Sequence, residues 1–285
     1  MSIYLFEILN GVALGMIYFL MAAGLTIIFG MMNFVNFAHG SLYALGAYFC
    51  FQIIDWGGNY WVGLLVAPIL VGLIALALER TLIRRLYAFD HPTQILITIG
   101  VMLVLREIIL LLWGTVPKPI TPPEALSGVL ILGDFVYPYY RLFVITVTCV
   151  VGLLIWLMLD RTRFGIMIRA GSENAKMVSL LGLNSNLLFS ATFVLGVALA
   201  GLGGALISPI RGADAFMGAE ALGIAFVVVV IGGMGSFPGA LAGAMVVGLV
   251  QSLSAGIWPE GTNIMIYAVM AMIILLRPNG LFGRA

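Results

Sequence analysis

Long apolar runs constrain the fold of this chain more than any other feature of its sequence. The sequence contains nine such runs, of 10 to 25 residues each, and a helix needs about 20 predominantly apolar residues to cross the hydrocarbon core of a bilayer. Only 9% of the 285 residues are charged, whereas about 25% are charged in a typical soluble domain. We therefore predict an all-α fold, a polytopic transmembrane helical bundle with about eight or nine membrane segments. The predicted spans are Leu5–Phe29, Gly40–Ile54, Trp61–Leu78, Ile95–Trp113, Leu142–Leu159, Leu187–Ile207, Leu222–Ile231, Ala240–Ile257 and Ile264–Leu276.

Two of the runs before the last one are short, Gly40–Ile54 and Leu222–Ile231. Short apolar runs interrupted by polar or Gly-rich sequence are typical of broken or re-entrant membrane helices. The longest polar connection, Gly114–Tyr140, is a Pro-rich loop and not a linker between domains. The sequence therefore predicts a single transmembrane domain over residues 1–285, with a cytoplasmic loop at 160–186.

The first apolar run has a second interpretation, as a signal peptide cleaved near Gly24. Signal peptides begin with a positively charged region, but Met1–Leu9 contains no Lys or Arg and carries Glu7. The first run is therefore predicted to remain as a membrane span.

Basic residues are distributed unequally between the loops, and this sets the predicted orientation. Cytoplasmic loops of membrane proteins carry an excess of Lys and Arg. With alternating spans, nine basic residues fall on one side and three on the other. We therefore predict an N-terminus outside and a C-terminus in the cytoplasm. The larger set is Arg80, Arg84, Arg85, Arg161, Arg163, Arg169, Lys176, Arg277 and Arg284, and the smaller set is Lys118, Arg141 and Arg211.

Several function classes are excluded by what the sequence lacks. The net charge of +1 is too small to attract nucleic acid electrostatically, so we expect no nucleic-acid partner. The expected surroundings of the apolar runs are the lipids of a membrane. No phosphate-binding loop, HExxH or GxSxG motif is present. We expect no catalytic residue, no metal site and no cofactor on this chain. An ion-coupled carrier is the alternative, but such carriers bury several acidic or His residues, and here only Glu107 and His39 qualify.

The first polar break in the apolar pattern lies between the first two runs. It is rich in Asn, flanked by Gly and free of charge. Polar backbone at membrane depth is tolerated where it is buried in protein or lines a cavity, so this break is a candidate part of a solute path. A tight turn whose side chains cap the next helix is an equally good interpretation. The candidate path residues are Asn33, Asn36, His39, Gly40 and Ser41.

A second Gly/Pro break follows the seventh run, and it resembles the first in sequence. Paired interruptions in two halves of a chain indicate a transport site. The candidate path residues here are Gly232, Gly233, Gly235 and Ser236.

The loop at 160–186 contains an amphipathic segment. Met177, Leu180 and Leu181 recur at helical spacing, with Ser172 as the predicted N-cap and Gly182 at the predicted C-terminus. A short helix of this kind docks on a partner protein or lies on the lipid surface.

The adjacent charges Arg106 and Glu107 lie inside a predicted span. Intramembrane charges are functional candidates by default. Their place toward the outer end of the span favours an interhelical pair or snorkelling instead.

Taken together, these segments resemble the branched-chain amino acid permease family of ATP-binding cassette (ABC) importers, and within it the smaller, H-type subunit. The resemblance is strongest at Gly30–Tyr48 and continues through Arg161–Asn184, Gly196–Ala205, Gly232–Gly239 and Arg277–Gly283. It covers nearly the whole chain.

This resemblance implies a multi-pass protein of the bacterial inner membrane that imports branched-chain amino acids by alternating access. The implied partners are a second permease subunit, two cytoplasmic ATPases that hydrolyse ATP with Mg²⁺, and a periplasmic solute-binding protein. The same family architecture also serves urea, short amides and aromatic acids.

The resemblance further implies that the 160–186 loop couples to an ATPase. The implied coupling residues are Arg169, Ser172, Glu173, Ala175, Leu181 and Gly182. The family motif places Gly three residues after Glu-Ala-Ala, whereas Glu173-Asn-Ala175 here precedes Gly182 by six intervening residues.

Overall fold

α-Helices make up most of the chain in the computed structural model, which describes residues 2–132, 135–180 and 182–283. Among the described residues, seven helices are long and apolar enough to span a membrane. The predicted all-α, polytopic membrane fold is therefore confirmed. The helices are α1 (Ser2–Met32), α2 (His39–Asp55), α3 (Tyr60–Leu86), α4 (His91–Trp113), α5 (Tyr139–Arg161), α6 (Arg163–Leu180), α7 (Ser185–Arg211), α8 (Met217–Gly232), α9 (Phe237–Ile257) and α10 (Thr262–Leu276).

Each predicted span lies inside one of these helices, and most helices begin a few residues earlier than predicted. Helix α8 has 16 residues and is not among the seven that are long enough to span a membrane, as its short apolar run predicts. Brief 3₁₀ turns occur at Glu124–Leu126 and Pro259–Gly261.

A small β-hairpin departs from the all-α prediction. Strands β1 (Val129–Leu132) and β2 (Phe135–Pro138) pair antiparallel inside the connection that was predicted to be a Pro-rich loop. Their Val, Ile, Phe and Tyr side chains suit a strand that packs on one face. The buried Tyr137 ring lies 5.8 Å from the ring of Phe6 on α1, which anchors the hairpin to the bundle.

The prediction that Arg80, Arg84 and Arg85 lie in a loop is wrong, because α3 continues through this region to Leu86. The segment Glu79–Ile83 forms a π-helical turn. Leu and Arg are good helix formers, and the positive charge of Arg84 is neutralised by Glu79 at 3.0 Å. The basic cluster therefore lies on a helix end.

Helices α1 and α7 form the centre of the bundle. In their apolar stretches 83% and 67% of residues are buried, against 17% in α4 and in α5 and 11% in α10. Gly24 on α1 faces Gly196 on α7 so closely that a Cβ at either position would overlap the other backbone. Small residues allow such close approach of membrane helices.

One end of the bundle gathers the basic helix termini, and we call it the basic end. There Met31 at the end of α1 packs with Ile168 on α6 and Leu188 on α7. Arg84 at the end of α3 donates a hydrogen bond to Ser190 Oγ at 2.7 Å. The ends of α1 and α3 thus meet the start of α7.

The opposite end is held by tyrosines and by a loop pairing. The hydroxyls of Tyr60 and Tyr140 lie 2.6 Å apart, and Tyr140 donates to the Leu206 carbonyl at 2.8 Å. The backbone of Lys118 pairs with that of Ala213 through two hydrogen bonds. The start of α3 and the start of α5 therefore lie beside the end of α7.

Candidate functional site

The first break is an irregular segment between α1 and α2 whose backbone is satisfied largely by side chains. Asn33 has a φ of 48°, a left-handed conformation that Asn tolerates better than most residues. The Phe37 N–H donates to Thr98 Oγ1 on α4 at 3.2 Å, and the Ala38 N–H donates to Asn36 Oδ1 at 3.1 Å. This pattern agrees with the interpretation of the break as a turn. The predicted capping is wrong, because the N-cap residue of α2 is Ala38 and no side chain among the described residues caps this helix.

The candidate path residues at the start of α2 are enclosed by protein. His39 is fully buried, and its Nε2 lies 3.2 Å from the Met21 carbonyl. Ser41 Oγ donates to the Met102 carbonyl on α4 at 2.9 Å. In the described part of the chain, Asn36 Nδ2 and His39 Nδ1 are buried without a hydrogen-bond partner.

The remaining two candidates of this break have different surroundings. Asn33 is exposed, with its amide nitrogen 3.3 Å from His91 Nε2. Gly40 packs so closely on Gly218 at the start of α8 that a side chain on either glycine would strike the backbone of the other. The two short helices therefore begin side by side.

The second break is a glycine turn covered by the C-terminal residues. Gly233 and Gly235 have φ values of 101° and 80°, which favour glycine. The Leu281 N–H donates to the Ile231 carbonyl at 2.8 Å, and the Phe282 N–H donates to the Gly232 carbonyl at 2.9 Å. We call residues 277–283 the C-terminal strap, because they satisfy carbonyls at the end of α8 that no helical bond reaches.

The other contacts of the second break are also structural. Ser236 Oγ accepts a hydrogen bond from the Gly239 N–H at 3.1 Å and so caps α9. A Cβ at Gly30 on α1 would lie 3.3 Å from the Gly235 Cα. This break therefore lies against the end of α1, at the basic end.

A cavity of about 410 Å³ opens between α1, α2, α7 and α8, toward the end opposite to the basic one. Its walls combine aliphatic residues with tyrosines and three charged groups. Among the described residues, none of the nine candidate path residues belongs to this lining, so their role in a path stays a prediction. The lining residues are Tyr18, Tyr43, Pro117, Ile207, Arg211, Gly212, Asp214, Phe216, Met217, Glu220, Ala221 and Ile224.

The charged groups of this cavity come from the end of α7 and the start of α8. Both terminal nitrogens of Arg211 donate to Glu220, at 3.0 to 3.2 Å. The side chains of this pair are 49% and 51% exposed. Asp214 Oδ1 accepts the Phe216 N–H at 2.8 Å. The cavity therefore presents one cation and two carboxylates at its mouth.

The intramembrane charges Arg106 and Glu107 pair with each other at 2.8 Å on α4 and not across helices. The Arg106 guanidinium also lies 5.4 Å from the centre of the Phe216 ring, at the rim of the cavity. A cation over an aromatic face is stabilised by the ring quadrupole. Of the two interpretations, the interhelical ion pair is thus wrong, and Arg106 instead contacts an aromatic ring. Snorkelling stays a prediction.

The 160–186 segment is built differently from its prediction at one point. Helix α6 is interrupted at Asn174, whose φ and ψ are −157° and 89°. Asn174 Oδ1 accepts the Met177 N–H at 2.9 Å, so Asn174 and not Ser172 caps the second part of the helix. Ser172 Oγ instead donates to the Arg169 carbonyl at 2.7 Å, because it still lies in the preceding helical turn.

The end of this segment follows its prediction. Gly182 has a φ of 84°, and the Leu183 N–H donates to the Val178 carbonyl at 3.3 Å, which closes the helix as a C-terminal glycine does. Arg169 Nη1 donates to the Leu159 carbonyl, and Glu173 is exposed. Leu181 lies outside the described residues, as does the side chain of Ala175.

The second part of α6 presents apolar side chains outward. Met177 is 53% exposed and Leu180 is 74% exposed, and Leu183 just beyond them is also exposed, while Val178 faces the protein. The first part of α6 packs Ile168 against Met31 of the bundle. Both parts of the segment thus pack on the protein, through Ile168 and Val178, and the second part also presents an uncovered apolar face.

Two polar features were missed by sequence reasoning. Glu79 is fully buried at the basic end and accepts hydrogen bonds from Arg84 and Ser190. The pair Arg211 and Glu220 lies at the cavity. For Glu79, the available signal was a carboxylate directly after an apolar run, with Arg five residues later. The pair Arg211 and Glu220 has no regular spacing that sequence reasoning could use.

Comparison with known proteins identifies the family of the chain. The family described as branched-chain amino acid transport system, permease component, matches residues 7–276. The chain is 30% identical over 99% of its length to the high-affinity branched-chain amino acid transport system permease protein BraD of Pseudomonas aeruginosa, and it covers 96% of that protein. The chain is also 30% identical over 99% of its length to the high-affinity branched-chain amino acid transport system permease protein LivH of Escherichia coli K12, and it covers 96% of that protein.

More distant similarities span the chain as well. The probable branched-chain amino acid transport permease protein LivH of Methanocaldococcus jannaschii is 26% identical over 93% of this chain and 88% of its own. A solved structure of PsaBC from Streptococcus pneumoniae in complex with Fab covers 97% of this chain and 91% of its own at 14% identity, with a TM-score of 0.49. The full-length family match confirms the resemblance drawn from the sequence: the chain belongs to the family of branched-chain amino acid transport system permease components.

Proposed function

We propose that this chain is a transmembrane permease subunit of an ABC importer that moves branched-chain amino acids across the inner membrane of a bacterium. The observation that carries the proposal is the family match over residues 7–276, since curated relatives named for this transport align over 99% of the chain. Urea, short amides and aromatic acids are the alternative solutes of the same architecture.

The proposed energy source lies on partner subunits. The sequence has no phosphate-binding loop, so ATP is bound together with Mg²⁺ and hydrolysed by two cytoplasmic ATPases. This chain is then not an enzyme and carries no cofactor or metal. A second permease subunit and a periplasmic solute-binding protein complete the importer.

The proposed topology is a single transmembrane domain over residues 1–285 with eight or nine membrane segments. The basic end faces the cytoplasm in this proposal, because Lys and Arg are enriched on the cytoplasmic side. Arg84 and Arg169 lie at the basic end, whereas Lys118 and Arg211 lie at the other. These positions support an N-terminus outside and a C-terminus inside.

In the proposed mechanism, the 160–186 segment couples the bundle to an ATPase. The apolar face of Met177, Leu180 and Leu183 is uncovered, and a neighbouring subunit of the importer would bury it. The other end of the segment packs on α1 and α7, the central helices. Movement of the segment therefore reaches α1, which precedes the first break and contacts the second break through Gly30. Alternating access requires such a link.

The test of the class and the solute is uptake by the reconstituted importer. Labelled leucine, urea and an aromatic acid are each supplied with the binding protein, with and without ATP. We expect leucine uptake that depends on ATP. ATP-dependent uptake of another solute alone would contradict the substrate, and uptake that ignores ATP would contradict the importer.

The coupling role has a separate test in the double variant Glu173→Arg with Gly182→Pro. Proline cannot adopt the φ of 84° at Gly182, and Glu173 is exposed on the same segment. We expect uptake to fall to background while the amount of protein in the membrane is unchanged. Arg85→Glu, a charge reversal at an exposed residue of the same end, is the control and is expected to retain uptake. Normal uptake by the double variant would refute the coupling role.

A further inference from the structure

We infer that the cavity beside Arg211 and Glu220 is a binding site for the charged head group of a zwitterionic amino acid. The inference rests on the proposed function and adds to it a site of contact on this chain and a solute charge type. It is drawn from the cavity and its three charged groups. None of the candidate path residues predicted from the sequence lines this cavity.

The ion pair at the cavity is arranged so that a solute can replace either partner. Arg211 and Glu220 are joined by contacts of 3.0 to 3.2 Å, but about half of each side chain is exposed. An exposed ion pair of this kind is weak, because water competes for both groups. Opening it therefore costs little when a new partner takes its place.

A zwitterion offers both replacement partners at once. Its carboxylate takes the place of Glu220 on Arg211, with the two parallel hydrogen bonds that guanidinium groups make. Its ammonium group takes the place of Arg211 on Glu220. The number of ion pairs then rises by one, since each protein charge keeps a partner and the bound solute supplies both.

The net charge of the cavity selects against other solutes of similar size. Asp214 adds a second carboxylate to the pair, so the three groups sum to −1. An acid without an ammonium group meets this negative field, and a neutral amide or urea gains no ion pair. The geometry therefore favours amino acids over the aromatic acids and amides that are the alternative solutes.

The rest of the cavity suits an aliphatic side chain. Ile207 and Ile224 provide aliphatic walls, and the buried side chains of Tyr18 on α1 and Tyr43 on α2 also line the cavity. The volume of about 410 Å³ lies within the range of about 300–1,000 Å³ that is typical of small-molecule sites. A branched aliphatic amino acid fits within this space.

The test uses a reporter cysteine at Ala221, which lines the cavity. The full chain carries Ala221→Cys in a background of Cys50→Ala and Cys149→Ser, which removes both native cysteines. Alkylation by a maleimide is timed in membranes with L-leucine, with leucinamide, which lacks the carboxylate, or with 4-methylpentanoate, which lacks the ammonium group. Ser127→Cys, an exposed residue of the outer loop, is the matched control.

We expect leucine to slow alkylation at Ala221→Cys and not at Ser127→Cys. Each analogue lacks one of the two charged groups of leucine and so forms one ion pair fewer. The concentration at which it half-protects the cysteine is therefore expected to be at least about tenfold higher than that of leucine. Arg211→Gln should raise the half-protecting concentration of leucine about tenfold and should not raise that of leucinamide, because Glu220 is then free for the ammonium group. Glu220→Gln should remove the advantage of leucine over 4-methylpentanoate. A purely structural ion pair would not produce this exchange of preferences.

Several results would overturn the inference. Equal protection by leucine and 4-methylpentanoate, or no effect of Arg211→Gln, would exclude head-group recognition here. If Ala221→Cys does not fold, Ile207→Cys on the facing wall serves as the reporter with the same expectations. ATP-dependent leucine uptake without any protection of the reporter cysteine would refute this site and leave the proposed function intact. Protection of the cysteine without ATP-dependent uptake would support the site and contradict the proposed function.

Discussion

Replacement of the buried Glu79 carboxylate tests how the basic end is held together. Glu79 is fully buried and accepts two hydrogen bonds from Arg84, at 3.1 and 3.0 Å, and one from Ser190 at 2.7 Å. It thereby joins the end of α3 to the start of α7. Glu79→Ala leaves the Arg84 guanidinium and the Ser190 hydroxyl without this acceptor.

The expected magnitude follows from burial. Removing one partner of a buried ion pair costs about 3–5 kcal/mol, but 35% of the Arg84 side chain is exposed, so water compensates for part of the loss. We expect Glu79→Ala to lower the free energy of unfolding by about 2–4 kcal/mol. Glu79→Gln keeps an acceptor for Ser190 and should cost about 1–2 kcal/mol. Glu79→Leu with Arg84→Leu should cost less than Glu79→Ala, because no charge is left unpaired.

The assay is reversible unfolding of the purified chain in mixed micelles, followed by tryptophan fluorescence. Asp160→Ala is the control, since Asp160 pairs with Arg161 at 3.4 Å and both side chains are more than half exposed. Such pairs contribute about 0–1 kcal/mol. Equal losses for Glu79→Ala and Asp160→Ala would refute the reasoning, as would a double leucine variant less stable than Glu79→Ala.

Two further substitutions test the packing of the bundle. Gly24→Val is expected to prevent folding, measured as loss of the monodisperse species after extraction, because a side chain there meets the backbone of Gly196; Gly100→Val, where the added Cβ meets nothing within 4 Å, is the control and should extract normally. Leu281→Pro removes the N–H that bonds the Ile231 carbonyl and should lower the unfolding free energy by about 1–3 kcal/mol; no change in the same unfolding assay would show that the C-terminal strap does not stabilise α8.

Much of the fold was predictable because hydrophobic length is a strong signal in a bilayer. A run that must satisfy its own backbone away from water has few options other than a helix, so every predicted span is helical. The hairpin at β1 and β2 lies outside the apolar runs, where alternating Val, Ile and Tyr residues compete with Pro and Gly. The end of α3 was misjudged since charge alone does not end a helix.

The polar sites were harder to predict, because they depend on contacts between distant segments. Arg211 and Glu220 belong to different helices, and only the turn between them brings the two side chains together. Glu79 and Arg84 are five residues apart, a spacing at which an α-helix does not align side chains but a π-helical turn does. Asn and Ser cap helices about equally well, so the sequence alone could not show that Asn174 and not Ser172 is the cap.

The two breaks show how local sequence similarity differs from spatial equivalence. The sequence pairs the first break with the Gly232–Gly239 segment, but the backbone of Gly40 meets Gly218, at the start of α8. The second break instead meets Gly30 at the basic end. The features that meet in space are thus the starts of α2 and α8, and Tyr43 and Met217 from these starts line one cavity. The first break positions the start of α2 beside that of α8, and its polar residues thereby hold backbone that lies next to the cavity.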